Sequence, residues 1–183
     1  MLTIPQLNNL RAAAGAARQC WLQTKIPMEL ILAQWALESG WGSHAPGNNC
    51  FGIKEYPGCL GRQLLRTREY FTLEEKGKWL TAKEGRTADL EDATVTAGRQ
   101  RYICQDWFAT FPSLAYCFMK RAGLFHLGDY RPFTQKYLID LNFAALVQGV
   151  APIYATDPNY AKEILSIVSM PELQAAIKEA QNA

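Results

Sequence analysis

The sequence predicts an α+β domain, mostly helical, in which a β-hairpin flanks a central helix. Three observations predict it. Seven of the eight positions from Leu30 to Leu37 are apolar, which leaves no solvated face and marks a helix packed on most sides. Residues 3–22 place Leu7, Leu10, Ala14, Ala17 and Trp21 at spacings of three and four, the stripe of a packing helix. Gly61 to Tyr70 and Lys78 to Ala82 are shorter runs with β-forming residues, and Glu74-Glu75-Lys76-Gly77 between them supplies a turn.

Taken in order, the first helix has Thr3 as N-cap and Pro5 just inside it, and it should lie against the central helix. The central helix spans about 27–39. Pro27 suits its first turn, Glu29 complements its positive end, and Gly40 can take the left-handed turn that stops it. A loop follows in which Gly40, Gly42, Gly47 and Gly52 alternate with Trp41 and Phe51. Beyond the predicted hairpin, residues 83–106 are polar and carry Gly85 and Gly98, which reads as a flap or a surface insertion. Leu114 to Phe125 is helical in pattern, and Pro132 to Tyr137 is a short helix. Asp140 is a suitable N-cap for a helix to about Val147, ended by Gly149 and Pro152. Asp157 and Pro158 then start a helix whose stripe is Ile164, Leu165 and Val168, and Met170-Pro171 breaks the chain before a last helix over 172–181. No repeat, linker or second domain is visible, so residues 1–183 are read as one domain with its hairpin and insertion at about 61–106.

Composition narrows the function. With 49% hydrophobic and 20% charged residues the chain resembles ordinary globular proteins. A net charge of +2 is too mild for a nucleic-acid partner, though it suits loose attraction to an anionic cell wall. No stretch approaches the length of a membrane span, and the N-terminus has no basic region followed by an apolar core, so no secretory signal is expected. The five cysteines show no Cys-x-x-Cys pair and there are two histidines, so neither a zinc site nor another metal or cofactor is expected. Cys50 and Cys59 could bridge a short loop; reduced thiols packed as small hydrophobes are the favoured alternative.

Glu38 closes the apolar run. A carboxyl group at the negative end of a helix, in apolar surroundings, is favoured in its protonated form, and a protonated carboxyl is what general acid catalysis needs. An ordinary last-turn glutamate pointing into solvent is the alternative. The aromatic, glycine-rich loop beside it suits a sugar-binding cleft.

Ala-Leu-Glu-Ser-Gly-Trp-Gly (36–42) followed by Asn-Asn-Cys-Phe-Gly-Ile-Lys (48–54) resembles the paired signature of the glucosaminidase family of peptidoglycan hydrolases, glycoside hydrolase family 73, with Cys50 where leucine is usual. Thr-Arg-Glu-Tyr (67–70) is similar to the element in which that family carries its second acidic residue, although Glu55, Glu74, Glu75 and Glu84 compete for the role. Trp107 to Ser113 resembles the aromatic element by which the family returns to helix, and Tyr154 to Leu165 resembles the family ending, with Lys162 and Glu163 as a small departure. The resemblance implies a lysozyme-like fold whose hairpin forms one wall of the substrate groove. It implies hydrolysis of the β-1,4 bond between N-acetylglucosamine and N-acetylmuramic acid in peptidoglycan glycan strands. Glu38 would be general acid, Glu69 the second carboxylate, and Tyr154 the active-site tyrosine. Trp41, Phe51 and Tyr70 are candidates to line the sugar subsites, because flat sugar faces favour aromatic partners, and Asn49 and Gly52 join them as substrate-binding positions. Inversion, a covalent intermediate and participation of the substrate's own N-acetyl group all stay open. A lytic transglycosylase or muramidase on the same fold and a catalytically inactive glycan-binding module are the rival readings. Action in the cell wall or periplasm without a signal peptide implies a delivery partner: a holin, a virion or a secretion apparatus.

Overall fold

In the computed structural model, which describes residues 2–96, 98–155 and 159–183, the chain divides into two compact units. Met1–Phe51 with Phe111–Ala183 forms one, and Gly52–Thr110 forms the other.

The first unit is helical. Helix α1 (Ile4–Thr24) begins at Thr3, whose side chain accepts from the Gln6 amide in a capping box. Its buried residues are Leu10, Ala13, Ala14, Ala17 and Cys20, so the stripe is made of smaller side chains than predicted, and Leu7 and Trp21 are half-buried. Helix α2 (Met28–Ser39) follows the predicted range closely and ends at Gly40, with φ of 56°. Helix α4 (Leu114–Leu124) is capped by the Ser113 hydroxyl. After α5 (Arg131–Asp140) come α6 (Phe143–Tyr154), α7 (Tyr160–Val168) and α8 (Pro171–Gln181). The core forms where α1 packs on α2, α4 and α8 while α2 packs on α7.

The α5–α6 boundary differs from expectation. Asp140 is the last residue of α5 and pairs with Lys136 one turn back, while Asn142 caps α6 by accepting from the Ala145 amide. Gly149 and Pro152 do not end α6 but lie inside it. Gly149 is needed for close approach: a Cβ there would lie 2.1–2.6 Å from ring atoms of Phe133 on α5. Asp157 and Pro158, the predicted start of α7, lie outside the described residues.

The second unit is a three-stranded antiparallel sheet, ordered β1-β3-β2, with one helix. Strand β1 (Gly61–Phe71) matches its prediction. The predicted second strand at 78–82 does not form: residues 73–81 are helix α3 (Leu73–Thr81). Thr72 and Glu75 make a capping box, Glu74 and Glu75 fill the first turn, Lys78 lies in the last, and Glu74 pairs with Lys78, so the presumed turn residues are helix-start residues. The stretch read as a polar flap or insertion instead supplies β2 (Thr87–Thr96) and most of β3 (Arg99–Thr110), which is the central strand. No disulfide joins the cysteines. Cys50 meets Cys117 with their sulfurs 3.5 Å apart, and four of the five thiols are buried.

Replacing Gly149 by alanine should destabilise the chain by about 1–3 kcal/mol, because the Phe133 ring must move. Urea unfolding monitored by circular dichroism measures this; an unchanged midpoint would mean that α5 and α6 do not approach so closely.

Candidate active site

The helical unit holds Glu38. Helix α2 is buried from Met28 to Ala36 apart from half-buried Glu29; Leu37 is half-buried, and Glu38 itself is exposed, so the water-poor surroundings expected for its carboxyl do not extend that far. Its neighbours are phenols. Tyr160, 5% exposed, directs its hydroxyl at Glu38 Oε1 at 3.4 Å and accepts a hydrogen bond of 3.0 Å from Gln34 Nε2. Tyr154 also hydrogen-bonds Glu38 and packs on Tyr160, the ring centroids 5.1 Å apart. Burial above all, and then the charge of Glu38, pushes the Tyr154 hydroxyl well above the ordinary phenol range. Burial, then the neighbouring Tyr154 and Glu38, does the same to Tyr160. Both phenols therefore keep their protons at neutral pH.

Beneath them lies Arg121, 4% exposed, with its guanidinium 4.2 Å from the Tyr154 ring and 4.6 Å from Phe125. Its Nε and Nη2 make no hydrogen bond, so the rings carry much of its stabilisation.

The loop after α2 is fixed by its own hydrogen bonds. Ser39 Oγ donates to the Trp35 carbonyl and accepts from the Gly42 amide at 2.8 Å, while Asn9 on α1 donates to the Trp41 carbonyl at 3.0 Å. Gly42 has φ of 79°, and a Cβ there would come within 2.9 Å of the Trp35 ring. Trp41 is half-buried and stands edge-on to Trp35, 6.2 Å between centroids. It also holds φ of 60°, an uncommon backbone for a bulky residue. Asn49 is 4% exposed, and Phe51, 7% exposed, packs on Phe118 at 5.7 Å; Gly52 is exposed.

The sheet unit holds Glu69. On β1 exposure alternates, and Thr67 and Glu69 share the less exposed face. Pairing of β1 with β3 puts Leu65 opposite Asp106, Thr67 opposite Cys104 and Glu69 opposite Tyr102, so all six side chains project to one face. Lys54 reaches that face: its Nζ is 3.0 Å from Glu69 Oε1, 2.8 Å from Asp106 Oδ2 and 4.1 Å from the centre of the Phe108 ring. Asp106 is 1% exposed and also takes a 2.6 Å bond from Arg86 Nε. Burial alone would push the Asp106 carboxyl up, but hydrogen bonds from Lys54 and Arg86 outweigh it and hold the group below the usual carboxylate range. Tyr70, one residue past Glu69, faces the other side of the sheet, 53% exposed and hydrogen-bonded to Arg101. Of the rival acids, Glu55 is tied to Arg62 and Lys83, and Glu75 to Arg99.

Sequence reasoning missed Tyr160, Gln34, Arg121, Lys54 and Asp106 as parts of these two clusters. Gln34 had a visible signal as the one polar residue in the run from Leu30 to Leu37. Asp106 was a lone acid before an aromatic pair. Arg121 carried no signal, since a helix residue declares its burial only through tertiary packing.

Solved structures share this arrangement of elements. The catalytic domain of the autolysin Auto from Listeria monocytogenes matches with a TM-score of 0.68 at 19% identity, over 96% of this chain and 89% of that one. A peptidoglycan hydrolase mutant from Sphingomonas sp. A1 matches at 0.63 and 20%, covering 94% and 99%. A C-terminally truncated glycoside hydrolase domain of FlgJ from Salmonella typhimurium matches at 0.55 and 25%, covering 93% and 98%. No curated protein sequence matches the chain. The fold is the lysozyme-like one that the resemblance implied. The family model described as mannosyl-glycoprotein endo-beta-N-acetylglucosaminidase, Glucosaminidase, matches residues 14–173, and the chain belongs to that family of glycoside hydrolases.

Asp106 gives a pH test with a definite sign. Because its carboxyl is held low in the folded state, the stability it contributes is complete above the ordinary carboxylate value of about 3.9 and is lost as pH falls through the folded value. Asp106→Asn should cost on the order of 3 kcal/mol at pH 7, since it leaves Lys54 and Arg86 short of a charge. Denaturant midpoints measured from pH 7 to pH 2 should show the gap to wild type closing at the acid end; a constant gap would contradict the ion-pair account.

Proposed function

We propose that the chain is an endo-β-N-acetylglucosaminidase that hydrolyses the β-1,4 bond between N-acetylglucosamine and N-acetylmuramic acid in peptidoglycan. The observation that carries this reading is the position of Glu38: a carboxyl group at the end of a buried helix, touched by two phenols that keep their protons, in a chain of the glucosaminidase family. The substrate class is supported by the similar structures, which include an autolysin and a peptidoglycan hydrolase.

In this reading Glu38 protonates the oxygen of the leaving sugar as the ring acquires oxocarbenium character. Tyr154 and Tyr160 hold the carboxyl by hydrogen bonds, and the lone pairs left on the Tyr154 oxygen can accept the N–H of the substrate's acetamido group. Glu69 is the second carboxylate, which activates water or balances positive charge on the sugar. Trp41, three residues after Glu38 and held by the Asn9 bond to its carbonyl, is the aromatic candidate for a sugar subsite. No helix among the described residues is long and apolar enough to cross a membrane, and action in the cell wall or periplasm through a delivery partner completes the proposal.

Glu38→Gln should lower turnover of purified peptidoglycan by at least roughly a hundredfold with an unchanged thermal melt. Near-normal turnover in that variant would remove the general acid from this account. Mass spectrometry of wild-type digests should show reducing-end N-acetylglucosamine; 1,6-anhydromuramic ends would instead identify a lytic transglycosylase.

A further inference from the structure

Two side-chain hydrogen bonds among the described residues reach Glu69, and both end on the same oxygen. Lys54 Nζ donates to Oε1 at 3.0 Å, and Thr67 Oγ1 donates to Oε1 at 3.3 Å. Neither bond reaches Oε2, and the Glu69 side chain is 30% exposed. Lys54 is not a free lysine that happens to lie nearby. Its Nζ is pinned by Asp106 Oδ2 at 2.8 Å and rests over the Phe108 ring, while its backbone forms a bridge with that of Phe108 on β3. Asp106 in turn is buried and anchored by Arg86, which also donates to the Trp79 carbonyl at 3.0 Å. The chain Arg86, Asp106, Lys54, Glu69 thus runs from the interior of the sheet unit to a carboxylate held by one oxygen.

An exposed lysine–glutamate pair ordinarily wanders among rotamers. This one is held because the cation has a second partner, Asp106, which is buried and anchored in turn by Arg86. Two donors on Oε1 at fixed places on a rigid sheet restrict rotation of the carboxylate and turn Oε2 away from them.

We propose that Lys54, clamped by Asp106, and Thr67 are positioning residues that fix Glu69 through Oε1 and present Oε2 as the oxygen that meets water or the sugar. The proposal rests on the reading of Glu69 as the second carboxylate, and it goes further by assigning the reacting atom and the residues that aim it. Lys54 and Asp106 touch no substrate in this account. Their effect is on orientation, so it belongs in turnover and not in binding.

The test measures kcat and KM on soluble peptidoglycan fragments for Lys54→Met, Lys54→Arg, Thr67→Val and Glu69→Gln, each checked by thermal melt. Lys54→Met should lower kcat by about tenfold or more with KM within about twofold, as expected for a misaimed group that still lies in the site. Lys54→Arg, which keeps a donor cation, should recover most of that loss, and Thr67→Val should give a smaller fall. In the Glu69→Gln background Lys54→Met should cause little further loss, because there is no carboxylate left to aim. Two results overturn the positioning role while leaving Glu69 in place: wild-type kcat in folded Lys54→Met when Glu69→Gln is impaired, or an equal fold-loss from Lys54→Met in both backgrounds. Wild-type kcat in Glu69→Gln overturns the choice of Glu69 itself, and the positioning role falls with it.

Discussion

The helical unit depends on the burial of α2. From Met28 to Ala36 nearly every side chain of that helix is covered, by α1 on one side and α7 on another, so it cannot rotate about its axis without exposing apolar surface and burying charge. Fixed rotation fixes where Gln34, Glu38 and Ser39 point. Gln34 is fully buried and finds the Tyr160 hydroxyl, which meets Glu38 one helical turn further on. Ser39 ties the loop to the helix, and Asn9 on α1 ties the loop to the packing partner. A single apolar helix therefore determines the direction of a carboxyl group and the course of the loop that follows it.

What could be read from the sequence divides along the same physical line. Elements whose signal is local were legible: the apolar run of α2, the Thr3 cap of α1, the helix read from Leu114 to Phe125, and the left-handed stop at Gly40. Where two local signals competed, the reading went astray. Glu74-Glu75-Lys76-Gly77 has the composition of a turn, but Thr72 and Glu75 at capping-box spacing make it the start of α3. Gly149 and Pro152 have the character of helix breakers, yet α6 runs through both: Gly149 lets Phe133 approach, and Pro152 sits two residues before the last residue, where its missing N–H costs one backbone bond. The polar stretch at 83–106 concealed two strands, since its polar residues pair across the sheet: Arg68 and Arg101 with Glu91, and Arg86 with Asp106. The motif residues Glu38 and Glu69 were visible, but not the groups around them. Tyr160, Arg121 and Asp106 reach their places through contacts distant in sequence, which no spacing rule encodes.

The two glutamates live in different electrical company, and this supports giving them different roles. Around Glu38 the nearest partners are neutral phenols, which can hydrogen-bond a carboxyl group in either state. Around Glu69 the partner is an ammonium within a closed network. Lys54 and Arg86 supply two positive charges, and Asp106 with ionised Glu69 supplies two negative ones. A general acid and a second carboxylate are the two parts that glycoside hydrolysis by paired carboxyl groups requires. The division of labour proposed here therefore follows from the neighbours of each glutamate, as much as from the motif in which it stands.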